Sequence, residues 1–179
     1  SLTLRTCQTQ KLFERTFDKL NSQLYAATKV LRLQNRTKEA RENEAAIESL
    51  FQAFGKELNN TITQVRETLK DRLGNEVPVL AYDHSLTIQA KASSSFSLRA
   101  INLFAILDEL IAATELLEIN NLISPEMSDK TAKSWWHAFR KFANQIREIR
   151  SRSFPKAAEE LAETSGPEAT MATSDDNDK

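Results

Sequence analysis

The chain has 179 residues, 40% of them apolar, a formal net charge of −1, one cysteine and only three glycines and four prolines. That length supports one domain with a sizeable core, and the scarcity of glycine and proline favours long helices over tight turns. A single cysteine excludes an internal disulfide and any cysteine-cluster metal site. The near-zero charge conceals an uneven distribution. Residues 130–156 carry eight Lys or Arg against one Glu, whereas residues 157–179 carry seven Asp or Glu against one Lys.

Residues 1–6 alternate, with Leu2 and Leu4 on one side and Thr3 and Arg5 on the other, and predict a short strand. Residues 8–36 read as a helix whose Phe13, Phe17, Leu20, Leu24, Ala27 and Leu31 fall on one face. Residues 34–44 are dense in charge and read as a loop or frayed junction. A second long helix spans 44–73 on the stripe Ile47, Phe51, Phe54, Leu58, Ile62, Val65, Leu69 and Leu73, stopped by Gly74-Asn75. The two are expected to form an antiparallel hairpin.

A strand is then expected at 85–91. Leu86, Ile88 and Ala90 point one way, and Thr87, Gln89 and Lys91 the other. Ser93, Ser94 and Ser95 are candidate N-caps for a third helix at about 98–117. Fourteen of those twenty residues are apolar, which fits burial nearly all round. Asp108 and Glu109 at its middle argue against a membrane span. Neighbouring helix positions diverge, so this pair reads as the polar edge of a buried helix and not as an acid/base couple. Ser124-Pro125 and Ser128-Asp129 mark the next start, and a basic helix runs from about 130 to 152, with Trp135, Trp136, Phe139, Phe142, Ile146 and Ile149 inward. The domain is expected to span 1–156. The acidic segment 157–179 lacks an apolar period and is expected to be disordered.

The fold class is therefore mainly α: about four long helices with one or two short strands, and a strand-helix-helix order at about 85–152 like that of a ribbon-helix-helix element. Outward Thr87, Gln89 and Lys91 are side chains able to read base edges in a major groove. One strand is not a ribbon. Its partner is either the same strand of a second subunit, which makes a homodimer, or residues 1–6 of the same chain; pattern leaves both open. Ser128, Lys130 and Lys133 at the start of the basic helix, and Arg140, Arg147 and Arg150 along it, are candidate phosphate contacts. Trp135 and Trp136 fit the core better than a stacking role. The acidic segment either solubilises the chain or competes with nucleic acid for the basic helix.

Nothing in the sequence has the spacing of a metal site, a phosphate loop or a nucleophile elbow. The expectation is no enzyme, no cofactor, no metal, no small-molecule substrate and no membrane span. A cytoplasmic location follows by elimination.

The opening Leu2-Thr-Leu-Arg-Thr6 with Gln10-Lys-Leu-Phe13, and the stretch Leu86 to Ile123 with Leu103, Leu107-Asp108 and the run from Leu116, resemble AcaB-like proteins of conjugative plasmids and integrating conjugative elements. The resemblance covers about residues 2–153 and rests mostly on apolar patterns. It implies a DNA-binding transcriptional regulator of conjugative transfer, acting on double-stranded DNA as a homodimer with an embedded ribbon-helix-helix element. Carried over, it makes Thr87, Gln89 and Lys91 the reading strand, with Ser128 and Lys130 at the helix start. The longer third helix and longer link to the fourth depart from the compact ribbon-helix-helix pattern. The contrasting expectation from the long amphipathic helices is an assembly or adaptor protein of a mobile-element system that does not bind DNA.

Overall fold

The computed structural model describes residues 1–74 and 78–154. The acidic segment at 157–179, and Asn75 of the expected helix stop, lie outside the described residues. The order is β1 (Leu2–Leu4), α1 (Cys7–Tyr25), a π-helical stretch at Ala26–Val30, α2 (Leu31–Leu33), α3 (Thr37–Leu73), β2 (Leu86–Ile88), α4 (Ser95–Ile119) and α5 (Pro125–Ser153). The mainly helical reading with two short strands holds.

Four long helices pack around one aromatic core. Phe104 of α4 lies 4.9 Å from Phe13 of α1 and 4.3 Å from Phe139 of α5, ring centre to ring centre. Phe54 of α3 lies 4.9 Å from Phe142 of α5. Such ring pairs add to the burial of the large side chains themselves. The contacts also give direction. Thr9 and Leu12 meet Ala132 and Trp136 at one end, and Ala27 and Ser153 share Asn43 at the other, so α1 and α5 run the same way. Arg99 pairs with Glu48 and Glu109 with Arg66, so α3 and α4 run together as well. Arg32 with Glu44 closes the expected antiparallel hairpin between the first two long helices.

The first helical run and α3 differ from expectation at their junction. Asn35 adopts φ 60°, a left-handed conformation asparagine tolerates, and the Arg36 amide returns to the Leu31 carbonyl at 2.9 Å. Helix α3 then begins at Thr37, not near 44. The charge density of that stretch hides a buried line, Ala40, Asn43 and Ile47, at helical spacing. Asn43 donates to the Ala27 carbonyl at 3.1 Å and to Ser153 Oγ at 2.9 Å, tying three elements together. At the other helix starts, Ser94 Oγ accepts from the Ser97 amide at 3.1 Å, and Ser124 Oγ from the Met127 amide at 3.2 Å with Pro125 in the first turn.

Strand β2 pairs antiparallel with β1 of the same chain: Leu2 opposite Ile88, Thr3 opposite Thr87, Leu4 opposite Leu86. This corrects the homodimeric ribbon. The edge that was to zip across a two-fold axis is occupied internally, because Leu2 and Leu4 are buried and bring β1 alongside. The argument for a homodimer from an unpartnered strand goes with it. The expected strand over 85–91 also shortens to three residues. The order strand-helix-helix is present at β2, α4 and α5, while the ribbon is made by one chain.

The carboxylate of Asp108 sets where β1 lies. Asp108 is 1% exposed. It accepts from the Thr6 amide and the Thr6 hydroxyl, each at 2.8 Å on Oδ1. It also accepts from the Arg5 amide at 3.0 Å and Arg5 Nε at 3.2 Å, both on Oδ2. It is thus no polar edge of α4, as the sequence suggested, but the buried anchor of the β1–α1 junction. A carboxylate at the first turn of α1 also suits the helix dipole. Removing it strands two backbone donors and one hydroxyl. Asp108→Ala is expected to cost about 3–5 kcal/mol in chemical denaturation, with Asp108→Asn, which keeps one carbonyl acceptor, costing less. Equal stability of Asp108→Ala and the parent would contradict this anchor.

One titration follows from the neighbouring loop. Tyr82 Oη donates to Glu115 Oε2 at 2.6 Å. Burial holds the Glu115 carboxyl above the usual glutamate range, and the Tyr82 bond partly opposes it. Burial also pushes the Tyr82 hydroxyl up. The folded state then binds the Glu115 proton more tightly than the unfolded one, so this group's contribution to stability falls as pH rises from the ordinary glutamate range through the folded value. Tyr82→Phe removes the opposing bond. It should move the Glu115 titration, followed by NMR of the carboxyl carbon, further up; a downward shift would contradict the assignment.

Candidate nucleic-acid interface

Parallel packing of α1 and α5 leaves a shallow furrow between their outer faces. Arg15, Lys19 and Gln23 stand four residues apart on α1, hence on one face. On α5, Trp136, Arg140, Ala143, Asn144 and Arg147 form the facing wall. Together with Thr16 and Leu20 they line a groove of about 290 Å³. Four of its ten lining residues are cations and none is an acid. None of Arg15, Lys19, Arg140 and Arg147 makes an ion pair among the described residues. Other arginines of the bundle do: Arg32, Arg36, Arg66 and Arg99 each hold a carboxylate. Like charges facing one another without a counter-charge raise the local positive potential and favour an anionic ligand.

Trp136 supplies the apolar element of the groove. It is half-buried, and the Arg140 guanidinium lies 4.9 Å from its ring centre, a cation–π contact that orients the arginine without neutralising it. Trp135, by contrast, is buried against Phe54, as the core reading expected.

The predicted site residues separate into four places, three of them along α5 and one on the ribbon. Arg140 and Arg147 come together in the groove. Arg150 is exposed nearer the end of α5, its guanidinium 5.3 Å from the Phe154 ring, with Arg36 also 5.6 Å from that ring. Lys130 and Lys133 share the first turns of α5 with Glu126 and Asp129, and Lys133 Nζ pairs with Asp129 Oδ2 at 2.5 Å. Two cations beside two anions leave that end little net attraction for phosphate. Ser128 is 6% exposed and its amide bonds the Ser124 carbonyl at 3.1 Å, because α5 starts at Pro125 and not near 130. The residue is largely buried and its amide is engaged within the first turn of α5, so it offers no free helix-start amide, which corrects its assignment as a helix-start phosphate contact.

Thr87, Gln89 and Lys91 are exposed on the outer face of the ribbon, where Thr87 Oγ1 meets Thr3 Oγ1 at 3.2 Å. The ribbon and its continuation lie along α1: Gln10 Nε2 donates to the His84 carbonyl at 2.8 Å, and Asn21 Nδ2 to the Lys91 carbonyl at 3.1 Å. Asn21 and Lys19 are two positions apart and so point to opposite sides of the helix. Helix α1 therefore stands between the ribbon and the groove, and the structure does not join the reading strand to Arg140 and Arg147.

Arg15 and Lys19 were not among the sequence candidates. The apolar stripe of α1 was legible, whereas the polar face acquires meaning only once α5 is known to lie beside it. No helix among the described residues is long and apolar enough to cross a membrane, and no group of three metal-ligating side chains occurs among them.

These features define a class: a bundle of four long helices carrying a small intrachain ribbon and a cationic furrow between its first and last long helices. No protein-family model matches the chain, and no curated protein matches it. Among solved structures it is similar to AcaB from uropathogenic Escherichia coli, with a TM-score of 0.77 at 20% identity over 91% of this chain and 83% of that one. The sequence resemblance to AcaB-like proteins is thus accompanied by a shared fold.

Proposed function

We propose that this chain is a DNA-binding protein, and not an enzyme, that holds the phosphate backbone of double-stranded DNA in the groove between α1 and α5. The observation that carries the proposal is the set of four cations, Arg15, Lys19, Arg140 and Arg147, facing one furrow that has no acid among the described residues lining it. Arginine suits this work because its planar fork donates two parallel hydrogen bonds to phosphate, and each phosphate neutralised releases counterions. Asn144, Gln23 and Thr16 add neutral donors beside the cations. The resemblance to AcaB-like regulators, together with the fold in common with AcaB, supports placing this binding in the transcriptional control of conjugative transfer.

Thr87, Gln89 and Lys91 face away from the groove, so the proposal gives the groove, and not the ribbon, the main share of affinity. Fluorescence anisotropy on a labelled duplex, repeated over a range of salt, tests it. The parent is expected to bind at low salt and weaken steeply as salt rises. Arg15→Ala and Arg147→Ala should each weaken binding to all sequences and reduce the salt slope by about 1, as expected for one lost phosphate contact. Lys91→Ala should leave the slope in place. No binding at low salt, or a loss confined to Lys91→Ala, would overturn the reading.

A further inference from the structure

The same groove has a potential occupant within the polypeptide. Helix α5 carries the groove's far wall and ends at Ser153, and residues 157–179 follow it with Glu159, Glu160, Glu163, Glu168, Asp175, Asp176 and Asp178 against the single Lys179. Arg147 lies six residues before the end of α5, about 9 Å along its axis, and Arg140 about 20 Å. An extended chain covers up to about 3.3–3.6 Å per residue, so even the eight residues 156–163 can span the whole length from Arg147 to Arg140. The charges are complementary: four cations without an ion pair among the described residues on one side, seven carboxylates in the following segment on the other. At the opposite end of α5, Lys130 and Lys133 already have Glu126 and Asp129 beside them, so the furrow is the stronger attractor.

We propose that the acidic segment following α5 docks in the α1/α5 groove of its own chain and competes there with nucleic acid. The docking itself rests on the geometry of the groove, and its regulatory consequence rests on the DNA-binding reading above. Attachment to α5 makes the acidic segment an intramolecular competitor, present at high effective concentration and dispersed by salt like any exposed charge contact. An inhibitory device of this kind sets a threshold for DNA binding without a small-molecule effector.

The test uses the full chain and zero-length carbodiimide coupling, which joins a lysine amine to a carboxylate in contact with it. Among the described residues, Lys19 is the one lysine lining the groove. Coupling of Lys19 to Glu159, Glu160, Glu163 or Glu168 within one chain is expected, in excess of coupling at Lys130 and Lys133, unchanged by protein concentration and suppressed by salt. Absence of coupling at Lys19, equal coupling at all three lysines, or coupling only between chains would overturn the docking. In parallel, a full chain carrying Glu159→Gln, Glu160→Gln, Glu163→Gln and Glu168→Gln should bind duplex DNA about three- to tenfold more tightly at low salt. Unchanged affinity in that variant overturns the competition. A chain that couples at Lys19 but binds no DNA in either form retains the docking and loses the DNA reading, so the two fail separately.

Discussion

A buried carboxylate organises the N-terminal end of this bundle. Asp108, in the middle of the apolar helix α4, gathers the amides of Arg5 and Thr6 and the Thr6 hydroxyl. An uncompensated carboxylate there would be expensive, and the chain's own N-terminal backbone supplies the donors. Two consequences follow from that single contact. The start of α1 is held against α4, which positions the α1 face that meets α5. Strand β1 is held where Leu4 is fully buried, and so it is present to pair with β2. The groove and the ribbon are both downstream of one anchored junction.

Much of the fold was legible in the sequence. The stripe from Phe13 to Leu31 and most of the stripe from Ile47 to Leu69 follow from helical periodicity and are buried, with Val65 half-buried; the near-continuous apolar run of α4 is buried on most sides, with Leu98 and Ala105 exposed. The serine run 93–95 marked the start of α4, where Ser94 is the cap, while for α5 the sequence offered both Ser124-Pro125 and Ser128-Asp129 and only the structure selects Ser124. What was not legible depends on distant contacts. Residues 37–43 looked like a charged junction because Ala40 and Asn43 are inconspicuous, and only the packing of α1 against α3 makes them interior positions. Asp108 looked like an edge because its partners lie more than one hundred positions away.

The candidate site was half legible for the same reason. Arg140 and Arg147 stood out in a basic stretch, while Arg15 and Lys19 sit in a helix of mixed charge and join them only through the parallel alignment of α1 and α5. Ser128 illustrates the converse error: a polar residue near a helix start reads as a ligand, yet a boundary displaced by a few residues turns it inward. The ribbon shows how pattern alone can predict a strand and its outward side chains without its partner. Thr87, Gln89 and Lys91 are exposed as the alternation requires, while pairing with β1 replaces the second subunit with the chain's own N-terminus.

On the reading proposed above, nucleic acid lies in the furrow between α1 and α5 and not on the ribbon across α1 from it. Titration of the isotope-labelled chain with a short duplex, read at the Trp136 indole N–H and at the side-chain amides of Gln23, Asn144 and Gln89, separates the two faces directly. Shifts are expected at Trp136, Gln23 and Asn144 with Gln89 left in place. Shifts confined to Gln89, with the groove signals unmoved at saturation, would contradict it.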